Sequence, residues 1–508
     1  MKRILCILLI LVLCIGFTGC KNGDNGYKVP DKIFTTEEYH AALDSLLKTQ
    51  NFSNADEAFY KKLDNLTLEL KNMIVYNSND LTTDKGTTYY VSNSGDDKND
   101  GKSPETAWAT LKKVNEYIFE SGDLVVFERG SMWRGYLSVK SNVSYSAYGE
   151  GPKPKIWTSY DGLTHGEWKA TDTPNVWVLD KKITQTDLGL IVFNGGENYG
   201  EIKRKKAQLK QNFDYYFGNS IVEDDGRQDF KVYLYYDGGN PAEKFDAIDL
   251  CMDTKIITNT AKGLTNVHIN NLELRYGRGP FWAGWSKDLK MSYCVCEWSG
   301  GFADSVQPRM GGGSGCYGSC DGFEYDFCYF NQQFDSGVSP QYDYEDKDPV
   351  IHKDFITTNC LFENVEYTLE YFNSQENTLE NRYENMQFKY NICRLGGYGF
   401  GTKASVSAYI KSWGHENTCY NSEISHNIFD RAASLTLQIN GYEQAATGNT
   451  LSYDHIPELK NNIYIQKKDK KFAEINKTTY KYNEKTYNTL KSLGVDEGSV
   501  YVYGDYEE

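Results

Sequence analysis

From Thr265 the chain runs T-N-V-H-I-N-N-L-E-L, and the pentad N-N-L-E-L at Asn270 returns in altered form five times. The later copies are S-Y-C-V-C from Ser292, D-F-C-Y-F from Asp326, T-N-C-L-F from Thr358, Y-N-I-C from Tyr390 and H-N-I-F from His426. Aligning Asn271, Tyr293, Phe327, Asn359, Asn391 and Asn427 gives steps of 22, 34, 32, 32 and 36 residues. A 22-residue step suits one turn of a β-solenoid, and the longer steps add loops on one side of it. Each coil then buries its apolar face only against its neighbours. Leu272, Cys294, Cys328, Leu361 and Ile392 are expected to point into a single interior, with Asn359, Asn391 and Asn427 stacked as an amide ladder.

Upstream, the period of two begins at Thr88. T-Y-Y-V is a short strand, S-N-S-G-D-D-K-N-D-G a polar loop, and A-W-A-T-L-K-K-V-N a helix ending near Glu120. G-D-L-V-V-F-E-R-G and G-Y-L-S-V follow as strands, and the stretch closes with Y-S-A-Y-G-E-G-P-K-P-K-I. The segment Tyr89–Ile156 resembles the N-terminal cap and first coils of right-handed parallel β-helix proteins of secreted bacterial origin. That is the pectate-lyase-like superfamily of polysaccharide lyases and glycoside hydrolases. The resemblance extends over residues 88–465 and implies an all-β, right-handed parallel β-helix that acts on carbohydrate.

The expected organisation has six parts. Residues 1–20 are a signal peptide: Lys2 and Arg3 precede the apolar run Ile4–Phe17, and F-T-G-C resembles a bacterial lipobox. Lipid attachment at Cys20 would tether an exported protein to the outer side of the cell membrane. Residues 21–86 hold a tether and two helices. Thr35 with Glu38 is a capping-box signal, and Tyr39, Leu43 and Leu46, then Phe59, Leu63, Leu66, Leu70 and Met73, form apolar stripes suited to packing on the main domain. Residues 87–157 are the cap and first coils, 158–255 a small inserted β module, 256–470 the β-helix, and 471–508 a tail. The basic run Lys203–Lys206 in the module reads as a solvated face.

Composition narrows the partners. A net charge of −16 repels phosphate backbones, so no nucleic-acid partner is expected. It also disfavours anionic polysaccharides unless a basic groove or a cation intervenes. Aromatic residues are 14% of the chain, a supply of rings for a strand-rich protein and for a sugar ligand. Three of the 12 cysteines fall in the leader. Cys316 and Cys320 can pair, Cys294, Cys328 and Cys360 read as a buried stack, and no CxxC or HxxxH spacing points to zinc. No cofactor is required by any motif. The acidic loop Asp96–Asp100 reads as a solvated turn, and Asp343–Asp348 is a candidate calcium site.

Chemistry is expected where loops leave the coils. Asp335 and Glu370 fall on consecutive coils, each beside loop-forming or aromatic residues, and form the candidate catalytic pair; Lys411 and His415 are further candidates. Arg278, Glu297, Trp298, Gln341, Tyr371, Trp413 and Glu416 are candidate substrate contacts. Three functions fit these residues. Paired carboxylates serve a glycoside hydrolase. A lysine or histidine base, with Arg278 or calcium on a uronate carboxylate, serves a polysaccharide lyase. A non-catalytic glycan-binding adhesin is the third.

Overall fold

The computed structural model describes residues 27–504 and 506, except 219–228, 260–262, 304–308, 343–348, 374–380, 402–406, 415–416, 442–452 and 454. Two compact units emerge. One comprises Tyr160–Gln185 and Ile191–Leu250, where a five-stranded, mainly antiparallel sheet orders Glu201–Ile202, Asp214–Phe217, Val232–Tyr235, Val176–Leu179 and Trp168–Ala170. The other comprises Val29–Ser159, Thr186–Leu190 and Cys251–Glu508 and is a right-handed parallel β-helix. Among the described residues no helix is long and apolar enough to cross a membrane.

Each coil of the solenoid has three faces joined by two sharp corners. The first face stacks Thr265–Asn270, Lys287–Ser292, Cys320–Asp326, Ile351–Thr358, Gln387–Lys389 and Glu423–Ser425 in parallel. Short strands form the second, running from Glu273–Arg275 through Val295, Tyr329, Leu361, Ile392, Ile428 and Ile463 to Val500. Strands Tyr329–Gln341 and Leu361–Asn373 run on around the second corner to become the third face.

Left-handed residues make both corners. Asn271, Tyr293, Phe327, Asn359, Tyr390, His426 and Asn461 have φ between 50° and 56° at the first; Tyr276, Trp298, Gln332, Asn364, Leu395 and Arg431 occupy the second. None of these thirteen is glycine and four are asparagine, so each of the other nine carries a backbone cost of about 1–2 kcal/mol. Stacking offsets it: the Tyr293 and Phe327 rings lie 5.0 Å apart and 1° from parallel, and Tyr390 stacks on His426 at 4.8 Å.

Just after the first corner lies the position that holds the coils together, and here the ladder keeps the expected Asn391 and Asn427 but not Asn359. The inward residues are Cys294, Cys328, Cys360, then Asn391, Asn427 and Asn462. Asn391 N–H and Nδ2 both donate to Asn427 Oδ1 (3.0 and 3.1 Å), and Asn427 repeats this to Asn462 (3.1 Å each). Cys360 N–H donates to Asn391 Oδ1 at 2.8 Å, which joins the thiol run to the amide run. Asn359 stands one residue earlier, at the corner, and donates to Asp326 Oδ1. Asparagine suits both the left-handed corner and the buried ladder, which is why an alignment on Asn slips there.

The expectation that Leu361 and Ile392 line the interior is also corrected. Leu272, Cys294 and Cys328 do so, but Leu361 and Ile392 point outward into a second core with Val295, Tyr329, Ile428 and Ile463. Helices α1 (Thr36–Leu46) and α2 (Glu57–Val75) cover it with Tyr39, Leu43, Leu63, Leu66 and Leu70. The Thr35/Glu38 capping box starts α1, and Asp56 caps α2. His40 of α1 stacks on Tyr390 at 3.8 Å and bonds Asn359 Oδ1 at 2.7 Å, completing the corner stack where asparagine has no ring. Arg394 bonds Asp64 at 2.8 Å and the fully buried Asp430 at 2.9 Å.

Residues 471–508, expected as a tail, carry a further coil: Val500–Tyr503 pairs with Ile463–Gln466, and Ser499 takes the ladder position, accepting from Asn462 N–H at 2.9 Å. The leader closes the stack. Ala55 N–H donates to Tyr503 O and Tyr503 N–H to Ser53 O, at 2.8 and 2.9 Å, in a parallel bridge on the last strand. At the other end Asp97 accepts from the backbones of Ala109 and Thr110, so this member of the acidic loop is a structural turn residue.

Candidate functional site

The third face carries an outward polar ladder. Leu369, Ile410 and Leu437 are register partners that fill the interior. Side chains alternate along a strand, so the next residues Glu370, Lys411 and Gln438 stand outside, in register with one another and with Glu474. Lys411 Nζ donates to Gln438 Oε1, and Gln438 Nε2 to Glu474 Oε1 at 3.2 Å. Glu370 is buried and accepts from Ser339 Oγ and Gln341 Nε2, both at 3.3 Å. Gln341 also donates to Ser339 Oγ at 2.9 Å.

Asp335 sits differently from the expectation of a direct pair with Glu370. Gln333 pairs with Val365 and Ser336 with Tyr367, so Phe334 and Asp335 together oppose the single residue Glu366. This is a β-bulge, which bends the strand and re-aims its side chains. Asp335 is half-buried and Glu366 buried. From Ser336 opposite Tyr367, Glu370 lies about 13 Å further along the strands than Asp335, at about 3.3 Å per residue. The carboxylate across the coil from Asp335 is therefore Glu366, which sequence reasoning missed. Tyr367 lies between the groups: burial, then the charges of Asp335, Glu366 and Glu370, push its phenol well up. Lys411 Nζ stands 5.2 Å from the same ring. Backbone covers the Glu366 side: a Cβ at Gly401 would come within 2.7 Å of the Phe334 carbonyl and 3.2 Å of Glu366 Oε2, so that approach requires glycine.

The structure thus brings Asp335, Glu370, Lys411 and Gln341 to one face and places other candidates elsewhere. Tyr371 follows Glu370 and so points into the coil interior, where it is fully buried. Glu297 lies on the second face and pairs with Arg275 Nη2 at 2.5 Å, while accepting from Asn331 at 3.0 Å. Trp298 forms the second corner; its ring is buried against Phe400 at 5.9 Å, and Phe400 also meets Phe334, the neighbour of Asp335. Arg278 Nε donates to Asp253 at 2.6 Å. The Trp413 backbone pairs with Phe372 on the third face. Cys20, His415, Glu416 and Asp343–Asp348 lie outside the described residues.

No family model matches the chain. A curated relative, lacto-N-biosidase of Bifidobacterium longum subsp. longum, is 36% identical over 106 residues, 19% of this chain. The chain spans about 7% of the length of that relative. Similar solved structures include a glycoside hydrolase (TM-score 0.45, 10% identity, 82% of this chain and 96% of that one). The lacto-N-biosidase from Eubacterium ramulus gives a TM-score of 0.30 at 11% identity over 96% and 82% of the two chains. The polygalacturonase of Erwinia carotovora ssp. carotovora gives 0.31 at 10% over 85% and 98%.

Proposed function

We propose that the chain is a carbohydrate-degrading enzyme, a glycoside hydrolase whose reaction centre is the bulge on the third face. The observation that carries this is the gathering of Asp335, Glu366 and Glu370 around Tyr367, with Lys411 beside it. Glycosidic cleavage needs one carboxylic acid to protonate the leaving oxygen and a second carboxylate to act as base or nucleophile. Asp335 and Glu366 lie opposite each other in the register of adjacent coils, one half-buried and the other buried, and unequal burial drives two acid strengths apart. The more buried Glu366 is assigned the proton donor and Asp335 the base or nucleophile. The ladder Glu370–Lys411–Gln438–Glu474 then holds substrate hydroxyls. A net charge of −16 favours a neutral glycan, and the local likeness to a lacto-N-biosidase supports an oligosaccharide substrate.

Asp335→Asn and Glu366→Gln in the full chain should each lower turnover about 10²–10⁴-fold on a neutral oligosaccharide panel while the fold persists. Products should carry saturated reducing ends. Full activity in both variants removes this reading. Unsaturated products abolished by Lys411→Ala would establish the lyase instead; glycan binding without any product would establish an adhesin. Lys411 donates to Gln438 and lies in register beside Glu370, a placement that suits a positioning cation better than a proton-abstracting amine. A lipid tether at Cys20 belongs to the same reading, since it would hold the enzyme where extracellular glycans arrive.

A further inference from the structure

Inside the solenoid, away from the third-face carboxylates, three soft donors converge. Cys316 is the next-to-last residue of the strand Ser314–Tyr317 on the third face, and Cys320 opens the next strand of the first face, with only Gly318 and Ser319 between the two strands. His352 is the register partner of Cys320 one coil on. All three side chains are buried, at 0%, 2% and 1% exposure, and their donor atoms lie within 4.8 Å of one another. Cys316 Sγ and His352 Nδ1 are 3.4 Å apart. Around a tetrahedral ion with bonds of about 2.0–2.3 Å, ligand atoms stand about 3.5 Å apart, so this edge already has the right length.

The histidine supplies an independent sign. Its Nε2 lies 2.9 Å from the Gln341 carbonyl oxygen. A carbonyl only accepts, so Nε2 carries the proton and Nδ1 presents its lone pair to the thiols. A ring held by its far N–H on a backbone carbonyl is the usual support of a metal-binding imidazole. Tyr383 stacks on the ring at 5.4 Å and Tyr342 meets it edge-on at 5.2 Å, fixing its plane. Cys320 Sγ also lies 3.9 Å from the Tyr317 carbonyl oxygen, a further donor at hand. Both cysteines are free thiols, so the pairing that their sequence spacing allows is not formed.

We propose that Cys316, Cys320 and His352 form an internal binding site for a thiophilic d10 cation, zinc(II) or copper(I), which pins two neighbouring coils across a corner. Binding converts the thiols to thiolates and releases their protons to solvent, and with zinc(II) the two thiolates leave the site neutral, a requirement for a dry interior. Spacing could not show this, because the third ligand comes from the next coil by register. The site does not depend on the hydrolase assignment.

The test uses the full chain, refolded anaerobically with one equivalent of zinc(II), copper(I) or, as a spectroscopic probe, cobalt(II). One tightly held ion per chain is expected, with a thiolate-to-cobalt charge-transfer band of two-sulfur intensity. Cys316→Ser, Cys320→Ser and His352→Gln should each weaken binding by about 100-fold, the upper end of the about 10–100-fold that losing even a ligand's support costs, whereas Cys294→Ser should leave it unchanged. Zinc retained but not copper, or the reverse, identifies the ion. If a ligand variant misfolds, the wild-type band decides alone. Folded wild type that takes up no stoichiometric ion overturns the proposal, as does a Cys316–Cys320 cross-linked peptide two protons lighter.

Discussion

Replacing Asn427 by leucine removes the middle rung of the amide ladder and tests what joins the coils. The side chain is fully buried. Its Oδ1 accepts from both the N–H and Nδ2 of Asn391, and its Nδ2 donates to the Phe388 carbonyl at 2.8 Å as well as to Asn462 Oδ1. Leucine leaves the Asn391 N–H, the Asn391 amide and the Phe388 carbonyl short of a partner where water does not reach. At about 1–3 kcal/mol per buried group the three cost about 3–9 kcal/mol, and leucine's own apolar burial of about 2–3 kcal/mol leaves a net loss of about 1–6 kcal/mol. Chemical denaturation of the full chain, followed by tryptophan fluorescence, measures it as a shift in midpoint at constant slope. Asn427→Cys should cost less, because Cys294, Cys328 and Cys360 fill the same inward position in earlier coils. A leucine variant within about 1 kcal/mol of the parent would refute the idea that the ladder bonds hold the coils. A cysteine variant worse than leucine would refute the equivalence of the two runs.

Leu63→Ala, in the fully buried stripe of α2, should cost about 2–5 kcal/mol; an unchanged unfolding midpoint would mean that the helical leader is not part of the cooperative unit. Two buried groups predict opposite pH slopes. Burial raises Asp496 to about 6, so the folded state binds a proton that the unfolded one has released, and stability falls as pH rises from about 4 to 6. Burial, with Lys290, lowers His268 to about 4, so the unfolded state binds the extra proton and stability rises from about pH 4 to 6.5. Asp496→Asn should steepen the rise of stability across that window and His268→Gln should flatten it; denaturant midpoints at pH 4, 5, 6 and 7 that move together in both variants would contradict the assignment. Cys20→Ser should shift the protein from the membrane fraction to the soluble one, and lipid-labelled membrane material from that variant would count against the tether.

The repeat was legible because buried positions recur, whatever fills them. Asn271, Tyr293, Phe327 and Asn359 align correctly from sequence alone. Legibility failed where one residue type suits two jobs: Asn391 and Asn427 are rungs of the amide ladder as expected, but Asn359, expected beside them, stands at the corner, whose left-handed conformation asparagine also adopts. It failed again where an extra residue enters a strand. The bulge at Phe334 and Asp335 shifts the register by one, so counting eight residues from each corner sets Asp335 opposite Tyr367 and overlooks Glu366. The outward direction of Leu361 and Ile392 was hidden for another reason. An apolar residue reads as interior, and no periodicity inside the strand announces that two helices some 300 residues earlier cover it.

The clasp between Ser53–Ala55 and Tyr503 has a consequence for how the molecule is made. The leader is synthesised first, yet its seat on the final strand exists only when the last coil has formed. Through most of synthesis the apolar stripes of both helices and the growing edge of the stack stand open, each a template for another chain. Closure converts two vulnerable surfaces into one protected boundary in a single step. A chain ending before Val500 would keep both and should aggregate even if every earlier coil were correct. Survival of this fold therefore depends on the speed with which the two ends meet.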